Sequence, residues 1–284
     1  MRENYEAWFV PYEFCSQTGS GNVLIFAPHP DDEVIGCGGA IVQHVQNSVH
    51  VHVVIVTDGM LGDPGLADKI RRGMASEKEI EHYITTRQNE SRRAGEVLGY
   101  GKPLFWGIPD RQLIYNESMV ARVFDAINQI KPSIIYCPSI YEMHPDHRDL
   151  ALSVLEAVRR LKLRPDLFMY EIGRPMPSPD ILCDITDQWE NKFAAVRCFD
   201  SQLSVCPLDK YISALNYFRT YTLPDNIKKA EAYIVIRGND FNKRSIDLLE
   251  DELRDKEKRF CNHKSFRSRF VVLVRALKQL FFKQ

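Results

Sequence analysis

Short apolar segments alternate with longer amphipathic segments over the first 185 residues of the chain. Short apolar runs rich in Val and Ile are typical of buried strands, and apolar residues at every third or fourth position are typical of helices. The alternation predicts an α/β fold with a mostly parallel sheet and helices on both faces. The predicted strands cover 22–26, 51–59, 103–107, 132–139 and 166–172, and the predicted helices cover 38–47, 84–101, 118–131 and 147–161.

Beyond about residue 185 the pattern becomes mostly helical, with predicted helices at 186–200, 207–220 and 240–260. We therefore divide the chain into one α/β domain, residues 1–238, and a helical, basic C-terminal extension, residues 239–284. A charged insertion within the first domain, residues 60–82, predicts a surface loop with some helix.

The composition is that of a globular protein, with 44% hydrophobic residues and a formal net charge of −1. A net charge near zero gives no electrostatic reason to expect a nucleic-acid partner. The seven cysteines form no C-x-x-C pair, which disfavours a cysteine zinc site and a disulfide scaffold. The first 20 residues lack the apolar run of a signal peptide, and no window is long and apolar enough to span a membrane. We expect a cytoplasmic protein with reduced thiols.

Two clusters of histidine and aspartate directly follow predicted strands. The segment "APHPDDEVIGCGG", residues 27–39, follows the first strand, and "YEMHPDHRDL", residues 141–150, follows the strand at 132–139. Side chains at the carboxyl ends of parallel strands meet at one edge of the sheet. His29, Asp32 and His147 can therefore come together, and two imidazoles with one carboxylate suit a divalent metal, most often zinc. In the alternative interpretation, the aspartates are turn residues that bind backbone amides.

The two motifs "PHPDDE" and "HPDH", in this order, resemble the PIG-L/LmbE family of zinc-dependent N-acetylglucosamine de-N-acetylases. Weaker matches are "TDG" at 57–59, "GIPD" at 107–110 and "SQ" at 201–202. The resemblance implies a Rossmann-like fold. It also implies removal of an acetyl group from N-acetylglucosamine that is linked to inositol, malate, lipid or antibiotic groups.

The resemblance assigns roles to individual residues. It implies that His29, Asp32 and His147 bind zinc, although this ligand set also admits other divalent ions such as Fe²⁺. It implies that Asp31 is the general base. It implies that His144 stabilises the oxyanion or protonates the leaving amine.

Arg87 and Asp110 match positions near the sugar in the same family. The resemblance implies that Asp110 accepts hydrogen bonds from sugar hydroxyls and that Arg87 binds a phosphate or hydroxyl group. Two other interpretations stay open: Arg87 could form a surface salt bridge with Glu90, and Asp110 could be a turn residue after Pro109.

The acidic and glycine residues beside the first motif have alternative roles as well. Glu33 could orient a metal ligand, or it could begin the next helix, where a carboxylate suits the positive dipole end. Gly36, Gly38 and Gly39 do not have G-x-G-x-x-G spacing, so they favour close packing of a helix on the sheet over dinucleotide binding.

The last stretch, residues 262–284, contains six Lys or Arg and no acid, and its apolar residues recur at helical spacing. A basic amphipathic helix of this kind can lie on an anionic membrane, here the inner face of the cell membrane. Alternatively, it docks on the protein or on a second subunit. The sequence does not define the oligomeric state.

The sequence thus favours a zinc-dependent hydrolase that removes the N-acetyl group from an N-acetylhexosamine conjugate in a glycan, a glycolipid or a polysaccharide precursor. One alternative is a deacetylase of a small soluble conjugate, such as a thiol-cofactor or antibiotic intermediate. Another is a non-catalytic sugar-binding protein with a structural metal. Asp31 separates a hydrolase from a binding protein, because a structural metal site with three other ligands does not need it.

Overall fold

A single eight-stranded sheet is formed in the computed structural model, which describes residues 12–16, 19 and 21–240. The strand order is β1-β7-β8-β6-β5-β2-β3-β4. Neighbouring strands are parallel except for β8, which runs antiparallel between β6 and β7. The predicted mostly parallel sheet is confirmed. The strands are β1 (Glu13–Cys15), β2 (Val23–Ala27), β3 (Val51–Thr57), β4 (Leu104–Ile108), β5 (Ile134–Pro138), β6 (Asp166–Tyr170), β7 (Ile181–Asp184) and β8 (Ala230–Ile236).

A helix connects most of the consecutive parallel strands. Each helix that was predicted between the strands is present. Two of them begin about six or seven residues earlier than predicted, α1 at Asp32 and α3 at Glu77. The start of α3 follows from a capping box, in which Ser76 and Glu79 bind each other's backbone N–H groups. The helices are α1 (Asp32–Gln46), α2 (Pro64–Arg71), α3 (Glu77–Leu98), α4 (Glu117–Ile130), α5 (Pro145–Arg160), α6 (Trp189–Val196), α7 (Asp200–Leu203) and α8 (Leu208–Phe218).

The prediction of a mostly helical region after residue 185 is wrong for β8. This strand is buried along its whole length and lies inside the sheet. Its apolar run is interrupted by Glu231, a charged residue that is rare inside a strand unless it has a partner. The partner, Lys192 on α6, is distant in sequence, so local pattern alone did not indicate the strand.

The centre of the molecule is the contact between β2, β5 and α1. All five residues of β2 have no exposed surface, and α1 is buried from Asp32 to His44. A Cβ atom on Gly36 would lie 2.2 Å from Tyr170 Cδ2, and one on Gly39 would lie 2.4 Å from Ile185 Cγ2. These distances confirm that the glycines permit close packing of the helix.

The predicted extension at 239–284 lies outside the described residues except for its first two positions, and so does the basic stretch at 262–284. Within the described part of the chain, no helix combines the length and apolar character that a membrane crossing requires. The insertion at 60–82 contains α2, which has no buried residue, and the start of α3. This agrees with the predicted surface loop with some helix.

His44 makes the stability of this core sensitive to acid. It is 1% exposed, and its Nε2 lies 3.0 Å from the Tyr136 hydroxyl. Burial lowers the pKa of His44 to about 4, below its ordinary value of 6.5. The unfolded chain therefore takes up a proton first as the pH falls. His44 contributes stability above pH 6.5 that is lost between pH 6.5 and 4.

We predict that His44→Gln reduces this acid sensitivity, because glutamine keeps a polar partner for Tyr136 but does not titrate. Between pH 7 and 5 the wild-type chain should lose about 2 kcal/mol more than the variant. Urea unfolding at both pH values measures the difference. The exposed His82→Gln variant serves as the control and should follow the wild type. Equal losses in wild type and His44→Gln would contradict the assignment.

Candidate active site

The candidate site lies at the carboxyl ends of β2, β4 and β5, where a cavity of about 700 Å³ opens. The loop after β2 supplies residues 29–32, the loop after β4 supplies Asp110, and the segment after β5 supplies residues 142–147. The sheet order places β5 and β3 on the two sides of β2, with β4 next to β3. All seven residues singled out in the sequence line this cavity: His29, Asp31, Asp32, Arg87, Asp110, His144 and His147.

Three of these residues converge on one point. The Asp32 Oδ2 atom lies 3.0 Å from His29 Nδ1 and 3.2 Å from His147 Nε2, and the two nitrogens are 3.2 Å apart. Three ligands of a tetrahedral zinc ion, each at about 2.1 Å, stand about 3.4 Å from one another. The atoms therefore have the spacing of one face of a coordination tetrahedron. A nitrogen of His144 lies within 4.8 Å of nitrogens of His29 and His147.

Carboxylates approach the other nitrogen of each imidazole. His29 Nε2 lies 3.3 Å from Asp110 Oδ1 and 3.5 Å from Asp146 Oδ2. His147 Nδ1 lies 3.5 Å from Glu142 Oε2. Such carboxylates favour the tautomer that keeps its proton away from the metal-facing nitrogen.

Asp146 and Glu142 were not assigned a role from the sequence, although both stand beside the histidines of the second motif. Backbone amides hold each of them in place. Asp146 accepts a hydrogen bond of 2.7 Å from the Arg111 N–H. Glu142 accepts hydrogen bonds from the N–H groups of Ile172, at 2.7 Å, and Gly173, at 3.0 Å.

The electrostatics of the cluster favour positive charge next to Asp32. Burial alone would raise the pKa of Asp32, but His147 and His29 hold it well below its usual range. Burial opposes protonation of His147, yet Asp32 and Glu142 raise its pKa to about 9. The pKa of His29 is also raised, because Asp110, Asp146 and Asp32 together outweigh burial. Protons or a divalent cation can supply this positive charge.

Asp31 stands next to the cluster in a strained backbone conformation, with φ of 139° and ψ of −29°. Its N–H donates a 3.0 Å hydrogen bond to Glu33 Oε2. Glu33 Oε1 in turn accepts from Ser91 Oγ at 2.7 Å and from the Tyr100 hydroxyl at 3.1 Å. Glu33 thus lies in the first turn of α1 and also supports the turn that presents Asp31 and Asp32.

Arg87 is 2% exposed and belongs to the wall of the site. Its guanidinium lies 3.0 Å from Asp31 Oδ2 and also donates to the Pro30 carbonyl. The alternative of a surface salt bridge with Glu90 is wrong. Glu90 is buried and accepts hydrogen bonds of 2.8 and 2.6 Å from the N–H and hydroxyl of Ser201, which ties α3 to α7. Burial raises the pKa of Asp31 to about 7, although the charge of Arg87 opposes this rise.

Asp110 is a turn residue, as one interpretation proposed, and its side chain also faces the site. It follows β4 in a turn, and its N–H donates to Asp58 Oδ1 at 3.0 Å, which explains the "TDG" motif. Its side chain is 5% exposed and accepts from the Leu61 N–H at 3.2 Å, while its other oxygen faces His29. Contact with a sugar hydroxyl stays a prediction for Asp110 and Arg87.

His144 is the N-cap of α5, and its Nδ1 accepts a 3.3 Å hydrogen bond from the Asp146 N–H. The pKa of His144 is lowered to about 4 by burial and by the neighbouring His29 and His147. In the neutral ring with Nδ1 as acceptor, the proton is on Nε2. His144 can therefore donate a hydrogen bond from Nε2.

Comparison with known proteins identifies the family. The profile of a family described as GlcNAc-PI de-N-acetylase, PIG-L, matches residues 24–158. The diacetylchitobiose deacetylase of Thermococcus kodakarensis is 31% identical over 216 residues, which cover 71% of this chain and 76% of that protein. This chain belongs to the PIG-L family. The resemblance stated from the two motifs is confirmed.

Other relatives of this chain differ in their named reactions. The 4-oxalmesaconate hydratase of Pseudomonas putida is 24% identical over 65% of this chain and 75% of its own. The structure of N,N'-diacetylchitobiose deacetylase from Pyrococcus horikoshii, in complex with its inhibitor MPG, superposes with a TM-score of 0.65. It is 22% identical and covers 78% of this chain and 86% of its own. The relatives of this chain therefore include both a deacetylase and a hydratase.

Proposed function

We propose that this PIG-L protein is a zinc-dependent hydrolase that removes the acetyl group from an N-acetylglucosamine-type sugar conjugate. The observation that carries the proposal is the convergence of His29, Asp32 and His147 within 3.2 Å, with Asp31 beside them in the same cavity. The 31% identical relative, a diacetylchitobiose deacetylase, supports the substrate class.

His29 Nδ1, Asp32 Oδ2 and His147 Nε2 would hold the zinc ion. When bound, zinc polarises an acyl carbonyl and acidifies a water molecule. The donor set fits zinc because it combines two imidazoles and one carboxylate and leaves a further position open to the cavity.

In this mechanism Asp31 accepts a proton from the attacking water, whose oxygen adds to the acetyl carbon. The buried guanidinium of Arg87, 3.0 Å away, keeps the carboxylate of Asp31 in one orientation. His144 donates a hydrogen bond from Nε2 to the oxygen on which negative charge develops. The C–N bond then breaks, and the amine leaves with a proton from Asp31 or His144, which yields acetate and the free amino sugar.

Neighbouring aspartates provide a matched test of these roles. We predict that Asp31→Asn retains stoichiometric zinc but that its rate of acetate release falls by about 100-fold or more, because the substitution removes only the base. Asp32→Asn should lose both zinc and activity. Zinc content by atomic absorption and acetate release from N-acetylglucosamine conjugates measure the two properties.

The outcome distinguishes the competing functions. A structural metal in a binding protein gives zinc content without acetate release in the wild type. A hydratase likewise releases no acetate. Full activity in Asp31→Asn would show that another group is the base.

The rim of the cavity supports a proposal about the group that is attached to the sugar. Among the described residues that line the cavity and are exposed, Arg111 is the charged one; Met143, Pro145 and Gly173 are uncharged. The Arg111 backbone has φ of 63° and donates to Asp146, so this residue is fixed at the edge of the site. We propose that its guanidinium binds an acidic group on the aglycone.

We predict that Arg111→Gln lowers kcat/KM for N-acetylglucosaminyl malate by about tenfold, the effect of one charged hydrogen bond, and changes diacetylchitobiose hydrolysis less than twofold. The control is Arg237→Gln. Arg237 follows the end of β8, at the opposite edge of the sheet, and its substitution should change the hydrolysis of neither substrate. An equal loss on both substrates would show that Arg111 does not recognise the acidic group.

The basic stretch at 262–284 supports a further part of the proposal, contact with the inner face of the membrane and a lipid-linked or polysaccharide-precursor sugar. We predict that the full chain sediments with anionic vesicles and that a chain ending at residue 261 does not. Neutral vesicles are the control. Equal sedimentation of both chains with anionic vesicles would exclude this role of the stretch and favour docking on the protein.

A further inference from the structure

The helix that carries Asp32 is broken one turn into its length. Cys37 has φ of −144° and ψ of 25°, outside the helical range, so α1 consists of a short first segment and a longer second segment. In a straight helix the N–H groups of Gly39 and Ala40 would donate to carbonyls four residues earlier. Here they donate to the carboxylate of Glu231, at 2.8 and 3.0 Å.

A buried ion pair fills the break. Lys192 Nζ lies 2.6 Å from Glu231 Oε1 and donates a 2.8 Å hydrogen bond to the Ile35 carbonyl. The side chains are 0% and 1% exposed. Glu231 meets the positive N-terminal end of the second segment, and Lys192 meets the negative carbonyl end of the first. The N–H groups thus face a carboxylate and the carbonyl faces an ammonium group, which are the charges that the two helix ends favour.

Stability alone does not explain this arrangement. Buried ion pairs are frequently no more stabilising than apolar residues of similar volume, because removal of the charges from water is costly. A straight α1 would satisfy the same N–H and carbonyl groups without any side chain. What the ion pair determines is the direction of residues 32–36 relative to the second segment of α1.

That direction matters because Asp32 begins the first segment. Its Oδ2 must reach both His29 and His147, at 3.0 and 3.2 Å, and Asp31 immediately precedes it. Metal sites lose affinity when ligands are displaced by fractions of an ångström. A change in the angle at Cys37 would move the aspartates away from the histidine of α5.

We propose that Lys192 and Glu231 are positioning residues that hold the break in α1 and thereby aim Asp32 and Asp31 at the metal site; the inference rests on the proposed function. Both residues lie beyond residues 24–158, where the family profile matches. They reach α1 from α6 and from β8, the antiparallel strand.

The test replaces the ion pair by apolar residues. The variant Lys192→Met/Glu231→Leu/Tyr233→Phe removes both charges and also the Tyr233 hydroxyl, which donates to Glu231 at 2.6 Å. Without the ion pair, the N–H groups of Gly39 and Ala40 lose their acceptor, and nothing fixes the angle at Cys37. We predict a folded protein with a thermal midpoint near that of the wild type, but a zinc affinity at least about tenfold weaker by chelator competition.

The matched control is Tyr233→Phe, which keeps the ion pair and should bind zinc within twofold of the wild type. Hydrogen exchange of the metal-free proteins gives a second readout. Peptides that cover residues 32–41 should exchange faster in the triple variant than in the control, while peptides from α4 should not differ. If the triple variant does not fold, Lys192→Met is compared with Tyr233→Phe at a temperature below the thermal midpoint of Lys192→Met. The expected changes in zinc affinity, at least about tenfold and within twofold, stay the same.

Wild-type zinc affinity and unchanged exchange at 32–41 in the variant would overturn the inference. Failure of the metal site itself gives a different result. In that case wild type and Asp32→Asn bind zinc equally poorly, and hydrogen exchange at 32–41 alone decides whether the ion pair holds the break.

Discussion

Three consecutive carboxylates after a buried strand are the constraint on which the rest of the site depends. Asp31, Asp32 and Glu33 are each less than 9% exposed, and three negative charges cannot share one buried space. The structure separates them. Asp31 faces Arg87 of α3, Asp32 faces two histidines, and Glu33 turns back to the Asp31 N–H, Ser91 and Tyr100. The strained backbone at Asp31 is what allows adjacent side chains to point to different partners.

Sheet topology provides those partners. The strand order puts β5 beside β2, so His147 reaches Asp32 across one strand spacing. On the other side, β3 and β4 bring Asp58 and Asp110 to the same edge. Carboxylates that contact the outer nitrogens of His29 and His147 then fix the two rings. Within this site, the two imidazoles and Asp32 therefore form a place that suits a cation.

Local signals made much of this predictable. The β2–α1 and β5–α5 units follow from apolar runs next to polar motifs, and parallel strands imply that the two motifs meet. Contacts between distant segments were not predictable. Arg87 forms an ion pair with Asp31 and not with Glu90 because of the way in which α3 packs on the sheet. Strand β8 was not predicted because the charged residue Glu231 interrupts its apolar run, and the partner that neutralises this charge, Lys192, is 39 residues away in the sequence.

The residues that line the site and the residues that position α1 come from different parts of the chain. Most residues that face the cavity come from the first 150 positions, yet the contacts that shape α1 come from later ones: Tyr170 against Gly36, Ile185 against Gly39, and the ion pair at Cys37. At its glycines α1 has no side chain of its own, so the residues that pack against these positions determine where the helix lies. A helix that must hold buried carboxylates at a strained turn cannot rely on its own propensity. The later half of the sheet is therefore part of the site's geometry, although it contributes little of the chemistry.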